Sequence, residues 1–133
     1  MTTRRSLLKS AAAVGAAFHI VPRHVLGRGF TAPSDMVRLA AIGIGGKGES
    51  DITEMVKAGA SVAALCDVDW RAGKKSFARF PEAKRFKDYR EMLEKEQLDV
   101  VMIATPDHWH ALQGIAAVQA GAHVFIEKPT GHT

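Results

Sequence analysis

Gly43, Gly45 and Gly48 stand in the spacing G-x-G-x-x-G, within Gly43-Ile44-Gly45-Gly46-Lys47-Gly48. Alone, such a hexapeptide says little, because glycine clusters fill turns of many kinds. Its context sharpens it. Residues 37–42 before it form a short apolar run, and residues 50–58 after it place Ile52, Met55 and Val56 on one helical face. A glycine turn between strand and helix gathers unpaired backbone N–H groups and the positive end of the helix dipole at one point, which suits a phosphate. In that setting Gly43 permits the tight turn, Gly45 lets backbone approach a pyrophosphate, and Gly48 lets the helix pack closely on the strand. Gly46 belongs to the same cradle. Lys47 either adds a positive charge near the phosphates or faces solvent.

Asp67 follows Gly43 by 24 residues, at the end of a second apolar run over residues 61–66. A carboxylate at that point accepts hydrogen bonds from the ribose hydroxyls of an adenosine and repels a 2′-phosphate. The expected ligand is therefore NAD, in preference to NADP. Helix capping is the competing role for Asp67, but Asp69 is better placed for a cap. A methyltransferase also combines a glycine turn with an acid after its second strand, so the later motifs must separate the two. Cys66 is the single cysteine, expected as a small core residue; it permits no internal disulfide, and nothing in its spacing predicts a metal.

The remaining elements must carry these groups to one place. Residues 70–80 read as a basic amphipathic segment stopped by Pro81, and residues 84–86 as a short third strand. Asp88 caps a helix running through Glu96. Residues 99–104 are a fourth strand, broken by Thr105-Pro106-Asp107, which opens a helix from 108 to 120 with Gly121 at its end. Residues 122–126 are a fifth strand, closed by Glu127-Lys128-Pro129. Strands alternating with helices predict an α/β fold with a doubly wound parallel sheet of Rossmann type. Ligands of such sheets bind beyond the carboxyl ends of the strands. The glycine turn, the segment after strand four and the segment after strand five share that edge.

Charge divides the chain in two. Residues 1–34 hold Arg4, Arg5, Lys9, Arg23 and Arg28 and no carboxylate, leaving 13 basic against 14 acidic side chains in the rest. The body therefore carries no nucleic-acid footprint. Thr3-Arg4-Arg5-Ser6-Leu7-Leu8-Lys9, followed by a mild apolar stretch over residues 11–21, resembles the twin-arginine export consensus. The apolar stretch is short for a membrane span. Residues 1–33 are accordingly expected to be a signal and linker read by the twin-arginine translocation receptor, with the product exported to the periplasm. Residues 34–133 are expected to form the dinucleotide-binding domain.

The stretch DVVMIATPDHWHALQGIAAVQAGAHVFIEKP, from Asp99 to Pro129, resembles the N-terminal domain of the Gfo/Idh/MocA oxidoreductase family, and the resemblance extends over residues 36–133. It rests on a combination: glycine turn, acid after strand two, T-P-x-x-x-H, and A-G-x-H-V ending in E-K-P. It implies that Ala104, Thr105 and Pro106 pass under the nicotinamide half of the cofactor. It also gives His110 a catalytic role, against the plain reading of a residue in the first turn of a helix. Lys128 corresponds to the family's active-site lysine, placed to hydrogen-bond a carbohydrate oxygen or relay its proton. Glu127 would position the cofactor side, and a cis bond before Pro129 would aim the lysine. Family members continue into a second α/β domain that contributes substrate contacts, so the expectation is a fragment without turnover of its own, cut from an oligomeric parent acting on sugars or cyclitols by hydride transfer. An NAD-dependent glycoside hydrolase of the same fold is the alternative.

Overall fold

The computed structural model describes residues 32–131. The expected export segment with Arg4 and Arg5, and His132 at the other end, lie outside the described residues. Four short, mainly apolar runs and one basic tripeptide pair into one sheet: β1 (Arg38–Ile42), β2 (Ser61–Cys66), β3 (Lys84–Phe86), β4 (Val100–Ile103) and β5 (His123–Ile126). Their order is β3-β2-β1-β4-β5 and every neighbouring pair is parallel. The helices between them are α1 (Lys47–Lys57), α2 (Lys74–Arg79), α3 (Tyr89–Lys95) and α4 (His110–Gln119).

Near-continuous apolar strands arise because both faces of the sheet are covered. Successive side chains alternate between two cores. Ala40, Ile42, Val101 and Ile103 pack with Met92 of α3 and Ala117 of α4. Leu39, Ala41, Leu65 and Met102 pack on the other face with Ile52 of α1 and Phe77 of α2. This is the doubly wound arrangement predicted from the element order. The edge strand β5 leaves Phe125 exposed, as α4 does Leu112, Ile115 and Val118. Among the described residues no helix is long and apolar enough to cross a membrane.

Helix boundaries differ from the sequence reading where local chemistry intervenes. α1 begins at Lys47, earlier than its apolar spacing suggests, because Gly46 at φ 52° ends the turn directly at the helix. The segment expected to be helical over 70–80 is a helix only from Lys74 to Arg79. Asp69 Oδ1 accepts from the Arg71 N–H at 2.9 Å, and the Gly73 N–H donates to the Asp69 carbonyl, which holds the start of the segment as a turn. Likewise Asp107–Trp109 form a 3-10 turn before α4. Asp88 caps α3 as expected, accepting from the Arg90 N–H at 2.9 Å.

The closest packing in the fold is between α1 and the end of β1. A Cβ on Gly48 would lie 1.9 Å from the Gly43 carbonyl oxygen, a backbone atom that cannot swing aside. Gly48→Ala should therefore destabilise the protein by about 2 kcal/mol or more, read as a lowered urea midpoint with an unchanged slope. An unaltered midpoint would contradict the contact.

Candidate functional site

The turn after β1 is fixed from four sides. Its Gly43 N–H donates to the Cys66 carbonyl at 2.9 Å, and its backbone has φ 78°. A Cβ there would meet the Ala104 carbonyl oxygen at 2.7 Å and the Thr105 nitrogen at 2.9 Å, so glycine serves both the turn and the approach of the β4 loop. Ile44, buried between the layers, is held at both backbone groups: its N–H donates to Asp67 Oδ2 at 2.9 Å and its carbonyl accepts from Ser76 Oγ at 2.7 Å. Gly45 rests against Ala72, where a Cβ would come within 3.1 Å of a carbonyl oxygen.

Asp67 thus has a structural task besides the one its position suggests. Its Oδ1 accepts from the Asp69 N–H at 2.9 Å, so each carboxylate oxygen takes one backbone N–H. Each retains an accepting position, which leaves the group competent toward vicinal hydroxyls. Beside it, burial and then the Asp67 carboxylate push the Cys66 thiol up to about 12. Cys66 is a core residue on β2, in agreement with the sequence reading.

Beyond β4, Thr105 Oγ1 donates to Gln113 Oε1 at 2.7 Å, tying the Ala104-Thr105-Pro106 loop to α4. Beyond β5, the Glu127 N–H donates to the Ile103 carbonyl at 2.9 Å, and the Lys128–Pro129 peptide bond is cis. Lys128 is exposed at this end of the sheet. Lys47 lies 3.1 Å from Glu127 and also pairs with Asp51, one turn along α1. Its charge is thus engaged by two carboxylates while the side chain stays more than half exposed. The hydrogen bond to Asp51, then that to Glu127, raises the Lys47 pKa, and Lys47 in turn holds Glu127 below the usual carboxylate range. The Glu127 contribution to stability is accordingly present above the ordinary carboxylate range and lost as pH falls through the lowered value. Asp51 Oδ2 is buried with no partner among the described residues.

The His110 ring is buried, 2% exposed, and both nitrogens face backbone carbonyls, those of Pro129 and Thr105. A ring held in this way is occupied by the two loops, contacts that the sequence did not indicate.

A cleft of ≈600 Å³ opens along the carboxyl edge of the sheet, within the range of about 300–1,000 Å³ usual for small-molecule sites. Of the residues singled out by sequence, Gly43, Gly45, Asp67, Ala104, Thr105 and Pro106 line it. Gly46, Lys47, Gly48, His110, Glu127 and Lys128 stand outside its lining. Trp109, Gln113 and the run Lys87-Asp88-Tyr89-Arg90 also line it. That run follows β3 and so shares the carboxyl edge, the one signal that would have found it. The residues fit a dinucleotide: a side-chain-free turn at a helix start for the pyrophosphate, and a carboxylate with spare acceptor capacity for a ribose. Among the described residues no cluster of His, Cys, Asp or Glu is arranged to hold a metal.

Residues 37–133 match the Gfo/Idh/MocA profile, described as an oxidoreductase family with an NAD-binding Rossmann fold. An α-N-acetylgalactosaminidase of Shewanella oneidensis is 30% identical, across 98% of this chain and 34% of its own length. A glycosyl hydrolase family 109 protein of another Shewanella strain matches with the same figures. The chain thus spans about a third of the length of these curated relatives. Among solved structures, a myo-inositol 2-dehydrogenase from Lactobacillus plantarum superposes with a TM-score of 0.67 at 30% identity, over 72% of this chain and 29% of that one. The WlbA dehydrogenase from Bordetella pertussis, in complex with NADH and UDP-GlcNAcA, gives 0.67 at 30% identity, over 72% and 30%.

Two outcomes follow from this geometry. With its pKa near 12, Cys66 is ionised to roughly one part in ten thousand at pH 8, so a thiol reagent should leave it unlabelled until the protein is unfolded; rapid stoichiometric labelling of the native protein would be inconsistent with its position. Asp67→Ala should weaken NAD binding by about tenfold or more, since a lost hydrogen bond to a charged group costs about 1.5–3 kcal/mol. Calorimetric titration checks it, and an unchanged affinity would remove Asp67 from the site.

Proposed function

The chain belongs to the Gfo/Idh/MocA oxidoreductase family, of which it carries the NAD-binding Rossmann domain, and from that premise we propose that the whole protein moves hydride at a carbon of a sugar or cyclitol. The observation that supports this reading most directly is the sharing of one sheet edge by three segments. The glycine turn with Asp67, the Thr105 loop and the Lys128 segment all follow the carboxyl ends of β1, β2, β4 and β5. NAD, when bound, supplies the hydride acceptor. Asp67 orients the ribose hydroxyls and the glycine turn holds the pyrophosphate. Lys128, as its neutral amine, hydrogen-bonds the substrate hydroxyl and takes its proton as the adjoining carbon loses hydride, so an alcohol becomes a ketone.

A second reading is favoured by the curated relatives named as glycoside hydrolases. In it the sugar carbon is oxidised transiently, the proton beside the new carbonyl is removed as the aglycone leaves as its alcohol, water adds to the resulting unsaturated ketone, and the hydride returns, with no net redox change. The residues of this domain do the same work in both. The leader with Arg4 and Arg5 would take the folded protein, its cofactor already inside, through the twin-arginine receptor to the periplasm. Tight cofactor retention and a closed hydride cycle suit that location, and the full-length protein is proposed to be a homo-oligomer.

The full-length protein should copurify with NAD(H), identified by the absorbance and mass of the released nucleotide. Two probes separate the readings: myo-inositol oxidation followed by NADH absorbance, and hydrolysis of p-nitrophenyl N-acetyl-α-galactosaminide. Lys128→Ala should lower turnover of the accepted probe by about a hundredfold or more while the cofactor stays bound. Recovery of S-adenosylmethionine, or of no nucleotide, would refute the oxidoreductase reading; unchanged turnover would refute the role of Lys128.

A further inference from the structure

His110 is the first residue of α4, and its ring is as deeply buried as the apolar core. Nδ1 lies 2.6 Å from the carbonyl oxygen of Pro129, and Nε2 lies 2.7 Å from that of Thr105. A carbonyl oxygen only accepts, so the ring N–H is the donor in either link; a neutral ring donates once and a protonated ring twice. The two carbonyls belong to the segments that follow β4 and β5, neighbouring strands in the sheet. One of them is further anchored, since Thr105 Oγ1 donates to Gln113 on the same helix as His110. The other lies one residue beyond Lys128, whose own side chain is exposed and, among the described residues, in no hydrogen bond or ion pair. The lysine therefore depends on its backbone for placement.

We propose that His110 is a positioning residue: its imidazole ties the Thr105 and Pro129 carbonyls to the start of α4 and so fixes the backbone that carries Lys128, without itself touching substrate or cofactor. The proposal rests on the reading of Lys128 as the proton-handling group. A displacement of about 1 Å at such a group can cost about a hundredfold in rate, so a latch on its backbone has kinetic consequences that simple core packing lacks. An apolar side chain of similar volume would fill the space yet offer no N–H to either carbonyl.

The test uses the full-length protein with its NAD, as His110→Leu, His110→Gln and Lys128→Ala. Hydrogen exchange read by mass spectrometry should show segments 105–109 and 127–131 opening about tenfold faster in His110→Leu, with β1 and β4 unchanged. His110→Gln, which keeps one N–H donor group, should fall between. For the probe that is turned over, kcat should drop about tenfold or more in His110→Leu with KM within about threefold. In the Lys128→Ala background His110→Gln should have no further effect on kcat, the non-additivity expected of residues acting through one group. Unchanged loop exchange in a folded His110→Leu overturns the proposal. So does general loss of protection in both His110 variants, which assigns the residue to the core. Full activity of Lys128→Ala would instead remove the reading of Lys128 while the loop exchange still decides the latch.

Discussion

The carbonyl of Gly43 occupies the space where a Cβ on Gly48 would stand, and Gly43 lies equally close to the backbone joining Ala104 to Thr105. Three chain segments meet there with no side chain between them. That contact sets how deeply α1 sits over β1 and β4, and it brings the turn after β1 against the loop after β4. The same turn is clasped through Ile44, whose N–H reaches Asp67 beyond β2 and whose carbonyl reaches Ser76 on α2. Asp67 and Ser76 are distant in sequence from Ile44 and from each other's elements. A phosphate cradle needs its N–H groups to be directed before the ligand arrives, and these clasps supply that order from within the protein.

Charge is distributed along the carboxyl edge so that different segments do different work. Lys47 is drawn to Asp51 and Glu127, which leaves the attraction for a pyrophosphate to backbone N–H groups and the helix dipole. Those groups are fixed by the fold and do not depend on the protonation of a side chain. In the proposed function Asp67 adds a negative charge at the ribose end, where a second phosphate would be repelled. At the other end Lys128 stands exposed, its backbone held through the Pro129 carbonyl beside the His110 ring, and its side chain is in no ion pair among the described residues.

Lys47 reaches across 80 positions to Glu127, so the bridge also couples the start of α1 to the end of β5. The pair is half exposed at the lysine, and its contribution is screened by water. Its value lies in geometry: it links the segment suited to a pyrophosphate with the segment that carries the lysine. His110 makes the corresponding link from α4 to the loops beyond β4 and β5. Two devices, an ion pair and an imidazole set between two carbonyls, thus hold the Glu127-Lys128-Pro129 segment from different helices.

What the sequence determined by itself was periodic or conformational: the apolar runs that became β1, β2, β4 and β5, the doubly wound order, the glycines that the turn demands, the Asp88 cap, and Asp67 at the end of β2. Each follows from residues close in the chain, whose pattern survives whatever packs against them. The reading stayed open where a residue's role depends on its partner across the fold. Lys47 could add charge near the phosphates or face solvent, and no pattern near it pointed to Asp51 and Glu127; His110 could be catalytic or an ordinary helix residue, and no pattern pointed to carbonyls from two separate loops. The Lys87-Asp88-Tyr89-Arg90 run gave no sign of lining a cleft until β3 took its place beside β2. Side-chain hydrogen bonds and ion pairs are chosen by neighbours brought together by strand order and helix crossover, and only the tertiary structure decides which neighbours those are.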